Sequence, residues 1–408
     1  MTRPVRRDVG IVGAGFGGAA SAVLLARAGH RVTVYERAAK PDAVGAGILL
    51  QPSGLAVLRQ LGLLEGALER GARVDALSCK TQAGRSLFEL RYRNLGPSSF
   101  GIGMHRGALF ELLLSALRAE RVTLCAGVEV GRIQERRSSA TLLTADSKTL
   151  GEHELVIVAD GARSALRRRS PALTRARAYP FGALWFIGKD AEQRFAGVLS
   201  QTCSGTQRML GFLPSGLGPR GAEVPLVSLF WSVRSDDVEQ VRKRGIDAFK
   251  ADVMALEPRA EALLQQIEHV DQLLSATYMD AVMSRFYDRR VAYVGDAAHA
   301  TSPQLGQGTN LALVDAATLA VCLSSEPDLG AALGSYSTAR ADTSRFYQWA
   351  SRWLTPVFQS DLTWLGPVRD AVFPTLCRIP PLHREMLLTL AGHKRGFFAA
   401  EAPADLFS

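Results

Sequence analysis

The sequence is poor in the residues that build metal sites and disulfide frameworks. Its five cysteines are widely spaced, and no two of them form a C-x-x-C pair. The seven histidines show no ligand spacing either. Structural zinc sites need closely spaced Cys or His ligands, and disulfide-stabilised folds need paired cysteines. We therefore expect no metal site and no disulfide framework, a pattern that fits a reducing compartment.

Long hydrophobic runs are also missing. The longest apolar stretch, 311–323, is interrupted by Asp315 and is too short to cross a bilayer. The first eight residues include three arginines, but no apolar run follows them, so they do not resemble a signal peptide. We expect a cytoplasmic protein and do not expect membrane contact.

Lysine is scarce, although the chain is basic. Only seven of its 48 Lys and Arg residues are Lys, and the formal net charge is +9. The arginines are spread along the chain, whereas nucleic-acid-binding proteins concentrate them on one face. We therefore do not expect a nucleic-acid partner. A mild positive field of this kind would instead attract anionic cofactors.

The remaining composition is that of a globular protein of two or three domains, with 408 residues of which 47% are hydrophobic. Residues 8–37 show the pattern strand, glycine-rich turn, helix, strand, which predicts a buried parallel sheet. Residues 72–95 and 179–234 alternate as antiparallel strands do. The stretch 236–266 is helical, and helices return from 331 onward. We expect breaks there at Pro356, Pro367, Pro374 and Pro380-Pro381.

Pieces typical of dinucleotide-binding domains thus alternate with antiparallel pieces. We predict an α/β protein with a discontinuous Rossmann-like cofactor domain, an inserted antiparallel-sheet substrate domain and a C-terminal helical region. The predicted segments are 1–72, 97–178 and 283–330 for the cofactor domain, 73–96 and 179–282 for the substrate domain, and 331–408 for the helical region.

The first motif with chemical meaning follows the first strand and fits G-x-G-x-x-G. Glycines at its three fixed positions allow a tight turn, close approach of a pyrophosphate and close helix–strand packing. Glu36 ends the next strand, where a carboxylate accepts hydrogen bonds from ribose hydroxyls and repels a 2′-phosphate. The site therefore favours the adenosine of FAD or NAD over that of NADP. The residues of this motif are Gly13, Gly15, Phe16, Gly17 and Gly18.

Two further motifs follow predicted strands. Asp160 begins an Asp-Gly segment that runs to Arg167, and Gly295-Asp296 begins a Gly-Asp segment that runs to Asn310. An acidic residue at the carboxyl end of a parallel strand points into the crevice where open α/β sheets bind ligands. Gly306 and Gly308 then bring a helix N-terminus close to that crevice, where it can stabilise negative charge.

These three motifs, in this order and about 130 residues apart, resemble those of the class A flavoprotein monooxygenases, which include para-hydroxybenzoate hydroxylase. The resemblance covers about residues 8–350. It implies a GR2-type FAD-binding domain, FAD as cofactor and NAD(P)H and O₂ as co-substrates. The implied reaction is hydroxylation of an aromatic or similar small organic substrate through a flavin C4a-hydroperoxide. The chain would act as a monomer or homodimer.

The resemblance also implies roles for individual residues. Glu36, Arg37 and Val128 would hold the adenosine end of FAD, Arg106 the pyrophosphate, and Gln51 and Asp296 the ribityl chain. Asp160 and Arg167 would take part in binding both FAD and NAD(P)H. The backbone of Gly306, Gln307, Gly308, Thr309 and Asn310 would hold the pyrimidine end of the flavin, and Pro303 would lie near its substrate-facing side.

Other aromatic residues are candidates for a substrate wall. Trp185, Phe212 and Trp231 lie in the predicted inserted sheet, which faces the flavin in this family, although core packing is the commoner role for such residues. His105 is expected to be a capping or packing residue and His299 to be structural. No residue of the sequence identifies a catalytic base.

Two related groups of flavin enzymes are disfavoured because the sequence lacks their motifs. A second G-x-G-x-x-G after a strand is absent, which disfavours the two-domain Baeyer–Villiger and N-hydroxylating monooxygenases. The G-W-x-W-x-I-P stretch of flavin halogenases is absent too. Three alternatives stay open: a flavin reductase, an FAD-binding protein without turnover, and an epoxidase that acts on a lipid-type substrate and uses the aromatic C-terminal region as an apolar surface.

Overall fold

The computed structural model describes residues 5–40, 45–221 and 223–400. The outer ends of the segments 1–72 and 331–408, with part of the basic start of the chain, lie outside the described residues. The strands, in chain order, are β1 (Asp8–Val12), β2 (Arg31–Glu36), β3 (Gly47–Leu50), β4 (Ala72–Thr81), β5 (Ser86–Arg91), β6 (Gly101–His105), β7 (Thr123–Ala126), β8 (Arg132–Glu135), β9 (Ala140–Leu143), β10 (Thr149–His153), β11 (Leu155–Val158), β12 (Leu173–Lys189), β13 (Gly197–Ser204), β14 (Arg208–Gly216), β15 (Leu226–Arg234), β16 (Leu274–Met283), β17 (Tyr287–Asp288) and β18 (Val291–Tyr293).

The α-helices connect these strands and then make up the end of the described chain. They are α1 (Phe16–Arg27), α2 (Pro52–Gln60), α3 (Leu64–Arg70), α4 (Arg106–Ala119), α5 (Val238–Arg244), α6 (Ile246–Met254), α7 (Glu261–Leu264), α8 (Asp296–His299), α9 (Gly308–Ser325), α10 (Leu329–Phe358), α11 (Leu365–Leu376) and α12 (Pro380–Leu390).

A six-stranded sheet carries the three sequence motifs. Its strand order is β17-β18-β11-β1-β2-β7, and every pair except β17–β18 is parallel. β1 and β11 are short apolar strands that are almost wholly buried, as strands covered on both faces must be. β1, β11 and β18 therefore end at the same edge, where the three motif loops begin.

A nine-stranded sheet forms the second layer. Its order is β16-β12-β15-β14-β13-β4-β6-β3, with β5 paired to β4, and only the β13–β4 pair is parallel. This sheet includes β3, β6 and the start of β12, which lie in segments that we assigned to the cofactor domain. The division of the chain into domains therefore remains a prediction, while a mixed α/β fold with a helical C-terminal region is confirmed.

The expected proline breaks are only partly correct. Pro356 lies inside α10 and Pro374 inside α11. Each lies within the last turn or so of its helix, where a proline removes one hydrogen bond and disturbs little of the helix that follows. Pro367 lies in the first turn of α11, which needs no N–H donor at that position, and Pro380 starts α12.

One helix in the described part of the chain, α9, is long and apolar enough to cross a membrane by length and composition alone. It is instead a core helix, because 61% of it is buried inside the protein and it packs against α1, α2 and α10. Asp315 lies near its middle and is fully buried. A buried charge in a core helix needs partners, and these partners belong to the site described below.

Candidate cofactor site

The loop between β1 and α1 is shaped by glycine. Gly13 has a φ of +100°, and a Cβ on it would lie 2.5 Å from the carbonyl oxygen of Ala159. A Cβ on Gly18 would lie 2.0 Å from the carbonyl oxygen of Gly13. Gly15 is different, because it is exposed and a Cβ there would meet no protein atom within 4 Å. The outer side of this loop is therefore bare backbone at the start of a helix, an arrangement that suits a phosphate.

Glu36 lies beside this loop at the end of β2. Its Oε2 accepts a hydrogen bond from the Ala14 N–H (2.7 Å) and its Oε1 one from the Ala38 N–H (2.9 Å). Its carbonyl oxygen accepts a hydrogen bond from the Val128 N–H at 2.9 Å. A carboxylate has about four acceptor positions, so Glu36 can still accept hydrogen bonds from ribose hydroxyls. The structure thus brings the predicted adenosine-side residues together, and Arg37 follows with its side chain exposed.

The second loop runs from Gly295 to Gly308. Gly295 has a φ of +59°, and a Cβ on it would lie 2.8 Å from the Cβ of Ala312, so α9 approaches the loop closely. Asp296 begins α8 and its side chain is exposed at the edge of the sheet. A Cβ on Gly308 would meet only the Asp296 Oδ1, at 3.7 Å. Asp296 and the start of α9 therefore lie side by side.

Three buried side chains, Asp315, His299 and Arg340, support this loop from below. Asp315 Oδ2 accepts a hydrogen bond from the Gly295 N–H (2.8 Å) and lies 2.6 Å from His299 Nε2. Arg340 Nε donates to Asp315 Oδ1 at 2.7 Å. Burial alone would raise the pKa of Asp315, but His299 and Arg340 outweigh it and hold this pKa at about 2. Asp315 is thus ionised at neutral pH, and the expected structural role of His299 is to pair with it.

Arg167 holds the same loop from the other side. Its guanidinium donates to the carbonyl oxygens of Asp296 (2.7 Å), Ala297 (3.0 Å) and Ala162 (2.6 Å). The side chain is 1% exposed, and burial lowers its pKa. Arg167 therefore joins the Asp-Gly segment to the Gly-Asp segment. These contacts favour a positioning role for Arg167, and its Nε is buried without a partner among the described residues. The expected contact of Arg167 with NAD(P)H remains a prediction.

The polar residues predicted for the ribityl and pyrimidine ends also meet. The Gln51 N–H donates to Asn310 Oδ1 (2.8 Å), and Asn310 Nδ2 donates to the carbonyl oxygens of Leu49 and Gly306 at 3.1 Å each. Gln51 Oε1 accepts a hydrogen bond from the Tyr92 hydroxyl. The start of α2 is thereby fixed against the glycine-rich segment that begins α9.

The remaining predicted cofactor residues lie around these loops. Arg106 is exposed, with its guanidinium carbon 5.0 Å from the ring centroid of Phe16 at the start of α1. His105 Nδ1 accepts a hydrogen bond from the Gly107 N–H at 3.0 Å and caps α4, a role that we expected for it. Pro303 is exposed in the turn Pro303–Leu305 that leads to Gly306, and Thr309 is half-buried in the first turn of α9.

The residues present fit FAD. Several buried polar atoms around the two loops have no hydrogen-bond partner within the described ranges, among them Asp160 Oδ1, Arg167 Nε, Gln51 Nε2 and Gln307 Oε1. Burial also raises the pKa of Asp160, against a smaller opposing effect of Ser164. Buried polar atoms without partners are rare in folded proteins. FAD carries hydroxyls, carbonyls and an N–H that can pair with such atoms, and its pyrophosphate fits the bare backbone at Gly15.

The predicted substrate wall is only partly correct. In the paired strands β12 and β15, Trp185 lies opposite Phe230 and Leu184 opposite Trp231, so Trp185 and Trp231 point to opposite faces. Trp231 and Phe212 pack into a cluster with α6 and α7, where Phe212 stacks on Phe195 at 4.2 Å. Both are therefore core residues.

Trp185 remains a candidate for the substrate wall. It is half-buried on the face of the sheet that also carries Phe230, 5.1 Å away between ring centroids. Phe230 packs against a hydrophobic cluster that includes Leu387 and Leu390 of α12. The carbonyl of Leu390 in turn accepts a hydrogen bond from Gln307 Nε2 at 2.6 Å, so this face leads to the predicted flavin region.

The C-terminal turn after α12 is part of this region, which sequence reasoning missed. The Ser53 N–H donates to the Ala391 carbonyl at 3.2 Å, and a Cβ on Gly392 would lie 1.9 Å from Ser53 Oγ. His393 follows, with its Nε2 buried and without a partner among the described residues, and burial lowers its pKa to about 4. No motif marks residues 390–393, whereas the lone charge of Asp315 in an apolar stretch was a visible signal.

The described residues hold no group of three or more His, Cys, Asp and Glu side chains that could bind a metal ion. The five cysteines are free, and the fold brings the Sγ atoms of Cys79 and Cys203 within 3.5 Å of each other in neighbouring buried strands.

Sequence comparison relates the chain to flavin enzymes over most of its length. The sequence profile of the family described as FAD binding domain matches residues 6–345. A 3-amino-4-hydroxybenzoate 2-monooxygenase of Streptomyces cremeus is 30% identical over 348 residues, which cover 79% of this chain and 80% of the relative. A 6-hydroxynicotinate 3-monooxygenase of Pseudomonas fluorescens is 27% identical over 387 residues, covering 90% and 94%.

Structural comparison gives the same fold. The crystal structure of Klebsiella pneumoniae HpxO complexed with FAD and uric acid superposes with a TM-score of 0.78 at 21% identity, covering 94% of this chain and 97% of that one. A structure of 2-methyl-3-hydroxypyridine-5-carboxylic acid oxygenase has a TM-score of 0.73 at 21% identity, covering 91% and 98%. At these identities the likeness concerns the fold alone.

Proposed function

Because this chain belongs to the FAD-binding-domain family of class A flavoprotein monooxygenases, we propose that it is an NAD(P)H-dependent hydroxylase of an aromatic or similar small organic substrate. The chain is an FAD-dependent monooxygenase. The single observation that carries the finer proposal is the joining of the Asp-Gly and Gly-Asp loops by Arg167 at the edge where β1, β11 and β18 end. It supports one continuous FAD site that both loops share.

The proposed roles follow the two loops. Glu36 and Val128 hold the adenosine, the Gly13–Gly18 loop and Arg106 the pyrophosphate, and Asp296 and Gln51 the ribityl chain. The N–H groups at the start of α9 face the pyrimidine end of the flavin, where they stabilise negative charge. Pro303 and Trp185 lie on the substrate side. Arg167 positions Asp296 and does not bind the reductant.

The substrate that fits this proposal is a small aromatic ring bearing a hydroxyl group. Two of the relatives are named for hydroxylated aromatic acids, 3-amino-4-hydroxybenzoate and 6-hydroxynicotinate. A hydroxyl group makes its ring electron-rich, which favours attack by an electrophilic oxygen. FAD held by these residues would supply that chemistry by taking up a hydride from NAD(P)H and activating O₂. The protein's part is to orient the ring and exclude water.

Substrate binding should control the reaction, because a reductant without its own domain is held only transiently. Free enzyme should oxidise NAD(P)H slowly, and a true substrate should accelerate this by more than about tenfold, ~1.4 kcal/mol in barrier. A panel of hydroxybenzoates and hydroxypyridine carboxylates serves as the probe set.

Mass spectrometry of product formed under ¹⁸O₂ tests the proposal. We expect one labelled oxygen atom per product molecule and equal consumption of O₂ and NAD(P)H. A substrate that is turned over to an unlabelled product would instead identify a reductase or dehydrogenase on this fold. Rapid NAD(P)H oxidation that no substrate accelerates would contradict the control by substrate.

A further inference from the structure

A cleft lies between helix α10 and the segment 282–286, which continues from the end of β16. Its volume is about 160 Å³. On the helix side it is lined by residues at spacings of four, three and four, which share one face of α10: Ser337, Ala341, Ser344 and Gln348. Three of these four side chains are small, so the helix and the segment leave space between them. We refer to this space as the α10 cleft.

Hydrogen bonds fix the segment to the helix at both ends of the α10 cleft. The Phe286 N–H donates to Ser337 Oγ at 3.1 Å. Gln348 Nε2 donates to the carbonyl oxygen of Ala281 at 2.5 Å. The side chains of Phe286, Ser337 and Gln348 are buried. The α10 cleft is therefore a fixed feature of the fold with a buried floor.

Two exposed arginines line the α10 cleft, and no Asp or Glu of the described chain lines it. Arg285 donates from Nε to the carbonyl oxygen of Tyr287 (3.0 Å) and from Nη2 to Asp288 (2.7 Å). Arg345 Nη1 pairs with Asp342 at 3.2 Å. A guanidinium group has five N–H donors. Each arginine thus keeps donors without a partner among the described residues, and these can bind an anion.

The two arginines differ in how firmly they are paired. The side chains of Arg345 and Asp342 are 68% and 74% exposed, and ion pairs with such exposure contribute little to stability. An anionic ligand can therefore take the place of Asp342. Asp288, in contrast, is buried and holds Arg285 in position beside the α10 cleft.

A buried hydroxyl group points to the same kind of ligand. Ser344 is 2% exposed, and its Oγ is buried without a hydrogen-bond partner among the described residues. Buried polar atoms without partners are rare in folded proteins. Ser344 lines the α10 cleft and directly precedes Arg345 in the chain. A ligand with acceptor oxygens would satisfy both the hydroxyl and the guanidinium group.

The rest of the lining is apolar, which restricts the ligand further. Val282, Met283, Phe286 and Ala341 line the α10 cleft. An inorganic oxyanion has no apolar surface to place against these side chains. In other proteins an apolar cavity of about 150 Å³ holds one benzene molecule. The α10 cleft therefore has room for an apolar body about the size of one six-membered ring.

We propose that the α10 cleft is a second ligand site, which binds a small organic carboxylate with a ring-sized apolar body. The carboxylate accepts hydrogen bonds from Arg285, Arg345 and the Ser344 hydroxyl, and the body packs against Val282 and Met283. None of the residues that line this site is assigned to FAD, the reductant or the substrate. The proposal is therefore independent of the hydroxylation reaction.

Equilibrium dialysis of the FAD-loaded full chain against radiolabelled benzoate tests this site, and titration of the flavin absorption separates it from binding beside the flavin. We expect one benzoate site that leaves the flavin spectrum unchanged. Arg345→Gln should weaken binding there by at least about tenfold, because a charged hydrogen-bond donor is lost. Ser344→Ala should weaken it by about threefold or more. Asp342→Ala should strengthen it, because the competing carboxylate is gone.

Arg378→Gln is the matched control, since it removes an exposed arginine that does not line the α10 cleft. It should bind benzoate as the wild type does, and all variants should keep the wild-type FAD content and melting temperature. Benzyl alcohol has the ring without the charge, and inorganic phosphate has charge without the ring. Each should compete at least about tenfold more weakly than unlabelled benzoate, since each lacks one of the two features.

Four results would overturn the proposal. The first is the absence of any benzoate site other than one that changes the flavin spectrum. The second is unchanged affinity in Arg345→Gln or Ser344→Ala, and the third is an affinity that Asp342→Ala does not raise. The fourth is competition by benzyl alcohol or phosphate as strong as that by benzoate.

Discussion

The two loops that frame the cofactor site are built in different ways. The Gly13–Gly18 loop takes its shape from local sterics, because a Cβ at Gly13 or Gly18 would collide with backbone atoms. The Gly295–Gly308 loop takes its shape from buried charged side chains on both sides of it, and one of these, Arg167, reaches across 129 sequence positions to the carbonyl of Asp296. The first loop is therefore specified by adjacent residues and the second by distant ones.

This difference predicts different responses to substitution. A change on the open side of the first loop should affect what binds there and leave the fold intact. A change among the charges under the second loop should affect the fold as well, because removing one partner leaves another charge buried without compensation.

The largest effect should come from Asp315→Ala. It leaves Arg340 and His299 buried without their anion, so we expect the free energy of unfolding of the FAD-free protein to fall by about 3–5 kcal/mol. Urea denaturation followed by circular dichroism measures it. The control is Asp342→Ala, which removes the exposed partner of Arg345 and should cost less than ~1 kcal/mol. Equal small effects of both changes would show that the buried cluster contributes little.

Gly15→Val should separate binding from folding in the first loop. A Cβ at this position meets no protein atom within 4 Å, and the valine side chain would occupy the proposed path of the pyrophosphate. We expect FAD affinity to fall by more than ~3 kcal/mol, beyond the loss of one charged hydrogen bond. The free energy of unfolding of the FAD-free protein should stay near the wild-type value. Fluorescence titration with FAD measures the affinity, and a normal value would place the pyrophosphate elsewhere.

Arg167→Met should reveal the link between the Asp-Gly and Gly-Asp loops. Methionine keeps much of the buried volume and removes the hydrogen bonds to Ala162, Asp296 and Ala297. We expect FAD affinity to fall by at least about tenfold, ~1.4 kcal/mol. The KM for NAD(P)H of the FAD-saturated variant should not change. The exposed neighbour Arg168, changed to Met, is the matched control for FAD binding. A raised KM for NAD(P)H with normal FAD affinity would restore the role in reductant binding that the family resemblance suggested.

The smallest effect should be a pH dependence of the free energy of unfolding. It should come from His393, which lies in the turn after α12. His393 has a folded pKa of about 4, below its ordinary value of 6.5. The unfolded chain therefore takes up a proton before the folded one, and stability is lost as the pH falls below 6.5 toward 4. Between pH 6.5 and 5.5 the free energy of unfolding should fall by roughly 1 kcal/mol more in wild type than in His393→Gln. Parallel pH profiles of the two proteins would contradict this assignment.

The same contrast explains how much of the molecule could be predicted from its sequence. The apolar strands Asp8–Val12 and Leu155–Val158, with the glycines after the first, were visible because both the pattern and the loop are local. Gln51 and Asn310 were predicted separately for neighbouring parts of the cofactor, and the fold joins them by a hydrogen bond of 2.8 Å.

Features that depend on three-dimensional packing were missed or misjudged. Phe212 and Trp231 are core residues because helices α6 and α7 cover the face of the sheet on which they lie. The sequence of the two strands does not show which of their faces a helix covers. Arg167 lies in a run of three arginines that looks like a solvated surface, and only the fold shows that its guanidinium is enclosed by carbonyl groups. The Gly392 turn has no motif, because its importance comes only from its contact with Ser53.

A crystal structure of the protein with FAD tests the central claim most directly, that one FAD binds across both loops. We expect the pyrophosphate at the backbone of Gly15, the adenosine ribose within hydrogen-bond distance of Glu36, and the ribityl hydroxyls within hydrogen-bond distance of Asp296. We also expect the Arg167 guanidinium to keep its contacts to Ala162 and Asp296. An FAD whose ribityl chain lies away from Asp296, or an Arg167 that turns outward when FAD is bound, would contradict it.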